Sequence, residues 1–300
     1  MSTISLQDVS TKRETYFILY GFGALLLVVA AALWWTKVSV NPQRVFWNTV
    51  SNSMSTAGVT LHINENNTGT SDQQAIQYSL GTTNLVHSLR TVTQGKTVVK
   101  TESVGTATKS FTRYTEVATD QKTVNLKSVL GVWADPTSNG TTAQLLPQVA
   151  LGLALPLGAV PMPIGYISAD QRASIIHDMQ LRSLYQVDFT KVKKQTQDGR
   201  LLYTYDVQMQ PELYLDTFKI FAQDAGLNDL KNIDTSQYSG TTNVKVSLTI
   251  DARAQQLVKV VSTDQGYQES YDGYGVSTQV AVPTRAISLT DLQTRLSGIQ

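Results

Sequence analysis

The chain has 300 residues, a formal net charge of +1 and only 16% charged residues, against ~25% in an average soluble domain. Such a balance leaves no basic footprint for nucleic acid. The absence of cysteine excludes disulfides, thiolate metal sites, thiol nucleophiles and a lipid-modified cysteine.

The first element in chain order is an uncharged apolar run, YFILYGFGALLLVVAAALWW from Tyr16 to Trp35, set between Lys12-Arg13-Glu14 and Lys37. As a helix rising ~1.5 Å per residue it covers ~30 Å, the hydrocarbon thickness of a bilayer. Tyr16, Tyr20, Trp34 and Trp35 fall near its ends, where amphipathic rings favour the headgroup zone. Ala30-Ala31-Ala32 offers a signal-peptidase-like site, but the run exceeds the ~7–15 residue core of a cleaved signal and shows no polar face. An uncleaved single-pass transmembrane anchor is expected, over 16–36. Lys12 and Arg13 before the run nearly balance Lys37 and Arg44 after it. Orientation therefore follows from the short tail, 1–15, placed in the cytoplasm, and the long remainder, 37–300, placed as an extracytoplasmic β-rich domain. Beyond Lys37 the formal charge is zero, because Lys12, Arg13 and Lys37 outnumber Asp8 and Glu14 by one. Thr, Ser, Gln and Asn fill the surface positions instead, as suits an exported protein of the cell envelope.

The exported part opens with a helix: Asn41 is a cap, Pro42 the first helical residue, and Val45, Phe46, Val50 and Met54 form an apolar stripe ending near Ala57-Gly58. From Val59 the period becomes two, with Val59, Leu61 and Ile63 alternating against Thr60, His62 and Asn64. Further strands are predicted at Gln74 to Leu80, Leu85 to Val92, Thr97 to Glu102, Lys109 to Val117 and Val124 to Trp133, separated by turn residues such as Gly81, Gln94-Gly95 and Gly105-Thr106. Six strands with short connections make an antiparallel meander.

No charge occurs between Asp135 and Asp170, and Leu145 to Ile167 reads LLPQVALGLALPLGAVPMPIGYI. Pro147, Pro156, Pro161 and Pro163 bar a second ordinary span, since a broken helix exposes backbone groups to lipid. Two readings stand: a buried irregular core segment, or an apolar lid over a cavity whose ligand-binding wall is Leu151, Leu153, Leu155, Val160, Met162 and Ile164.

Ser168 and Gln171 then form a capping box before a helix carrying Ile175, Ile176, Met179 and Leu184. Strand alternation at Val187, Phe189, Tyr203, Tyr205 and Val207 flanks Asp198-Gly199, a hairpin signal. A helix follows Pro211, with Leu213, Leu215, Phe218 and Phe221 as its apolar positions, and runs to Ala225-Gly226. Strands are predicted at Val244 to Ile250, Leu257 to Val261, Gln268 to Asp272 and Val276 to Val282. The fold class is α+β, mainly antiparallel β, with no clear linker or repeat dividing it.

The order of helix then meander, the hairpin at Asp198-Gly199, and the ending VKVSLTIDARAQQLVKVVSTDQGYQESYDGYGVSTQVAVP resemble the LolA/LppX/LprG-like group of exported lipid-handling proteins. The resemblance rests on Ile250-Asp251, Leu257-Val258-Lys259-Val260, Tyr274-Gly275 and Pro283. It implies a strongly curved antiparallel sheet, a half-barrel covered by helices, whose concave face holds acyl chains or another apolar ligand. Lipoprotein members of that group carry an acylated cysteine, and this chain has none. A fixed helical anchor then suits local presentation rather than free shuttling.

Catalytic patterns are weak. His62, His87 and His177 lie far apart, without metal-ligand spacing, and read as surface or satisfied histidines. There is no Gly-rich phosphate loop and no Gly-x-Ser-x-Gly elbow. Asp224 and Asp229 offer one candidate acid/base pair, but a helix end and a polar loop explain them more cheaply. Tyr267, Tyr271 and Tyr274 suit carbohydrate or partner binding, but strand positions routinely use tyrosine for packing, which is the favoured reading. No enzyme activity, cofactor or metal is expected. The expected function is a membrane-anchored binding protein for a lipid or other apolar ligand. The alternative is a structural or sensory ectodomain that meets a cell-envelope protein partner and has no cavity ligand.

Overall fold

The computed structural model describes residues 24–29, 40–67, 69–81, 84–106, 109–119, 126–136, 162–227, 234–262, 267–277 and 280–297. Of the predicted anchor, only residues 24–29 are among these, and they are helical and exposed. Among the described residues no helix is long and apolar enough to cross a membrane.

Helix α1 spans Pro42–Ser53, capped by the Asn41 side chain, which accepts from Arg44 N at 3.2 Å, with Pro42 in the first turn. Its stripe buries Val45, Phe46 and Val50 completely. It stops at Ser53, a turn earlier than the predicted end, because the chain then bends into the first strand. Five strands follow as sequential hairpins: β1 (Gly58–Asn67), β2 (Thr70–Ser79), β3 (Leu85–Gln94), β4 (Thr97–Thr106) and β5 (Ser110–Ala118).

Of the expected sixth strand, Val124 to Trp133, the described residues 126–133 form something else. Leu126–Ser128 is a 3-10 turn, Gly131 has φ 76°, and Leu130 meets Tyr114 only as an isolated bridge. The left-handed glycine ends extended pairing, and a two-residue strand β6 (Ala134–Asp135) forms beyond it. Val129 drops into a small second core with Ala134 and Leu292.

The second half comprises α2 (Ala169–Leu181), β7 (Tyr185–Val187), β8 (Lys193–Gln197), β9 (Arg200–Met209), α3 (Pro211–Asp224), β10 (Val244–Asp251), β11 (Gln256–Ser262), β12 (Tyr267–Asp272), β13 (Ile287–Ser288) and α4 (Leu289–Ser297). The β8–β9 turn has positive φ at both Asp198 and Gly199, as a tight primed hairpin requires. The predicted strand Val276 to Val282 is absent from its described residues, 276–277 and 280–282. Gly273 and Gly275 take positive φ and turn the chain away, and Gly275 N donates to Gly58 O at 2.8 Å.

The two runs of strands form one open sheet in the order β13-β6-β5-β4-β3-β2-β1-β12-β11-β10-β9-β7, antiparallel except for the β13–β6 pair. They join where β1 pairs with β12, Leu61 opposite Tyr271. Leu61, Ile76, Tyr78, Val86, Tyr205, Val246, Leu248 and Tyr271 fall on one face, and α1, α2 and α3 share their core. Thr60, Thr204 and Thr249 alternate onto the other face, so burial itself sets the register. Phe46 anchors the centre, with edge-on rings of Trp47 at 5.3 Å and Tyr185 at 5.5 Å.

Candidate functional site

Three segments far apart in sequence meet at one end of this core. The first is the end of β2 and its turn, Tyr78, Leu80, Gly81 and Asn84. The second is Ile164, Gly165 and Tyr166, and the third is the end of α3, Asp224 to Leu227. Together they line a partly open cavity of about 260 Å³. Drug-sized ligand pockets begin at ~300 Å³, so the space suits a small molecule or one end of a longer one.

Local chemistry explains each wall. Ile164 to Tyr166 runs strand-like beside the end of α1: Gly165 N donates to Ser53 O at 2.9 Å, Ile167 N to Met54 O at 3.0 Å, and the Ser53 hydroxyl to Pro163 O at 2.9 Å. Glycine is required at 165, because a Cβ there would stand 2.3 Å from Cζ of Phe221. Helix α3 closes with Gly226 at φ 77° and Leu227 N donating to Ala222 O at 2.7 Å, a Schellman-type end. Asn84 ties two walls together. Its Oδ1 accepts from Gly81 N and its Nδ2 donates to Ala225 O, both at 3.3 Å.

Tyr78 supplies the deep wall. It is 3% exposed, and its hydroxyl is buried with no hydrogen-bond partner among the described residues. Such a group costs ~1–3 kcal/mol unless something pairs with it. Burial, followed by the nearby charge of Glu269, pushes the Tyr78 phenol well above its ordinary value. Glu269 is itself fully buried and accepts from the Tyr271 hydroxyl.

Among the sequence-predicted site residues, Ile164 lines this cavity and Met162 does not. Met162 is fully buried within the main core, where it packs as filler. Leu151, Leu153, Leu155 and Val160 lie outside the described residues. Sequence patterning marks Asp224 and Ala225 only as the end of a helix and carries no signal that joins them to Tyr78 and Asn84. The Asn84 position after a Gly81 turn was the available signal, but nothing local connects it to α3.

The other clusters are structural in their geometry. His87 Nε2 is 3.0 Å from Glu102 Oε1, and Arg113 Nε donates to Glu102 Oε2 at 2.8 Å while its guanidinium stacks 4.5 Å over Trp133. His62 lies 3.2 Å from Asp272, and His177 is exposed. Tyr271 is buried and Tyr274 donates to Leu257 O at 2.8 Å, so both serve packing. Asp229, the suggested partner of Asp224, lies outside the described residues. Among the described residues no group of three or more His, Asp or Glu could hold a metal. No protein-family model matches the chain, and no curated protein matches its sequence.

Proposed function

We propose that this chain is a membrane-anchored, extracytoplasmic binding protein for a lipid or other apolar ligand. Tyr16 to Trp35 is its single-pass anchor, and the helix-covered sheet is its ligand-holding domain, in the manner of the half-barrel LolA/LppX/LprG-like group it resembles. The observation that carries the reading is the buried Tyr78 hydroxyl, left without a partner beside a cavity walled by Leu80, Ile164 and Leu227. Leu80, Ile164 and Leu227 supply apolar contact, at ~0.8 kcal/mol per enclosed methylene before ordering costs, within a lining whose larger part is polar. Asn84 and Asp224 on the same lining supply polar groups that fix its orientation.

The test is mass spectrometry of the organic extract from the full-length protein, purified from its own membranes in amphipol, beside an Ala225→Phe variant that fills the cavity. A discrete apolar molecule present in the wild type and depleted at least several-fold in the variant is expected. Equal extracts from both would end this reading.

A structural or sensory ectodomain is the second reading, favoured by the filled core beneath the helices. Phe46, Leu215 and Tyr205 are all 0% exposed there. Under that reading the protein meets a cell-envelope protein partner through its surface.

A further inference from the structure

Resting on the ligand-cavity reading, we infer that the cavity selects a cationic ligand: a small amine, or the amine-bearing end of an amphiphile, with its ammonium group at Asp224 and its apolar body against Leu80, Ile164 and Leu227.

Charge is the deciding feature. Asp224 is the sole ionisable acid on the described lining, and no lysine, arginine or histidine accompanies it there. It stands at the C-terminal end of α3, whose last turn contains no basic residue. Helices normally place cations at that end, because the aligned peptide dipoles leave it roughly half a unit negative. Here an acid adds to that partial charge instead of offsetting it. Deeper in the core the fully buried Glu269 contributes to the field felt by Tyr78. The apolar stretch that leads into Ile164 brings no compensation, since no charged residue occurs between Asp135 and Asp170. Directly after Leu227 the sequence carries Asp229 and Lys231, formally neutral together.

An anionic head, whether fatty-acid carboxylate or phosphate, would meet Asp224 and the helix end with like charge, and would find no basic partner on the described walls.

The test uses three probes of matched shape, 2-phenylethylamine, 2-phenylethanol and phenylacetate, titrated calorimetrically into the full-length protein in amphipol, its Asp224→Asn variant and its Ala225→Phe variant. The amine is expected to bind the wild type about fivefold tighter than the alcohol, the size of one solvent-exposed ion contact, with phenylacetate weakest. Asp224→Asn should erase the amine's advantage and keep the alcohol's affinity, and Ala225→Phe should weaken both. Equal binding of amine and alcohol, or tighter binding of phenylacetate, overturns the cationic inference and leaves the cavity reading standing. Binding of none of the three, or binding that Ala225→Phe does not change, overturns both.

Discussion

At the scale of single residues, Glu102 shows how a half-hidden charge is kept on a β surface. Its side chain is 13% exposed and is held from β3 by His87 and from β5 by Arg113. Burial alone would raise its carboxyl, but the hydrogen bonds from Arg113 and His87 outweigh it, so the group sits below the ordinary carboxylate range. A carboxyl depressed in the folded state binds its proton more readily when unfolded. Its stabilisation is therefore complete above the unfolded value near ~4 and disappears as pH falls through the lower folded value. Glu102→Gln should cost about 1–3 kcal/mol at neutral pH, and the gap to wild type should close on acidification below about pH 4. Urea unfolding at a series of pH values checks this; a gap independent of pH would mean that packing, not charge, is at stake. Tyr78 is the complementary case, a buried polar group for which the protein provides no described partner.

At the scale of elements, local signals set the helices and the tertiary contacts trim them. Helix α2 begins with a reciprocal capping box: Ser168 Oγ accepts from Gln171 N at 3.3 Å, and Gln171 Oε1 accepts from Ser168 N at 3.0 Å. Ser168→Ala removes the first of these and should lower stability by about 1 kcal/mol, whereas Ser168→Asp, another good cap, should restore it. Thermal unfolding of the two variants separates a capping role from mere contact. Helix α1 is fastened differently. The hydroxyls of Tyr203 and Tyr205 on β9 donate to the carbonyls of Val40 at 2.8 Å and Pro42 at 3.0 Å. Alternation made both tyrosines legible as inward-facing strand residues, but their bonds to the start of a helix 163 positions away were not.

At the scale of the whole molecule, stability depends on the seam where β1 meets β12 and the two runs of strands become one sheet. Gly58 lies just beyond the end of that seam, where Gly275 N donates to its carbonyl, and a Cβ there would come within 2.1 Å of the Val276 carbonyl oxygen. Backbone cannot yield as a flexible side chain does, so Gly58→Ala should cost about 1–3 kcal/mol and speed amide exchange in β1 and β12 more than in β9 and β10. Uniform exchange across the sheet would show that the seam is not a separate point of weakness. The period-two runs at Val59 to Ile63 and Val244 to Ile250, the Asn41-Pro42 and Ser168-Gln171 starts, and the Asp198-Gly199 hairpin were all determined by the sequence alone. Each rests on forces acting within a few residues: side-chain direction, capping bonds and tolerated φ. Where Gly131, Gly273 and Gly275 take left-handed conformations, that local reading overran, and the described residues of two predicted strands are not extended pairs. The tertiary structure alone decided that β12 lies beside β1, that β13 runs parallel to β6, and that Tyr78, Asn84, Ile164 and Asp224 surround one cavity. Asn84 and the Ala225 carbonyl it binds are 141 positions apart. Periodicity tells which way a side chain faces but carries no record of the strand or helix that will come to face it, so most helices and strands could be read in order, while the site had to await the fold.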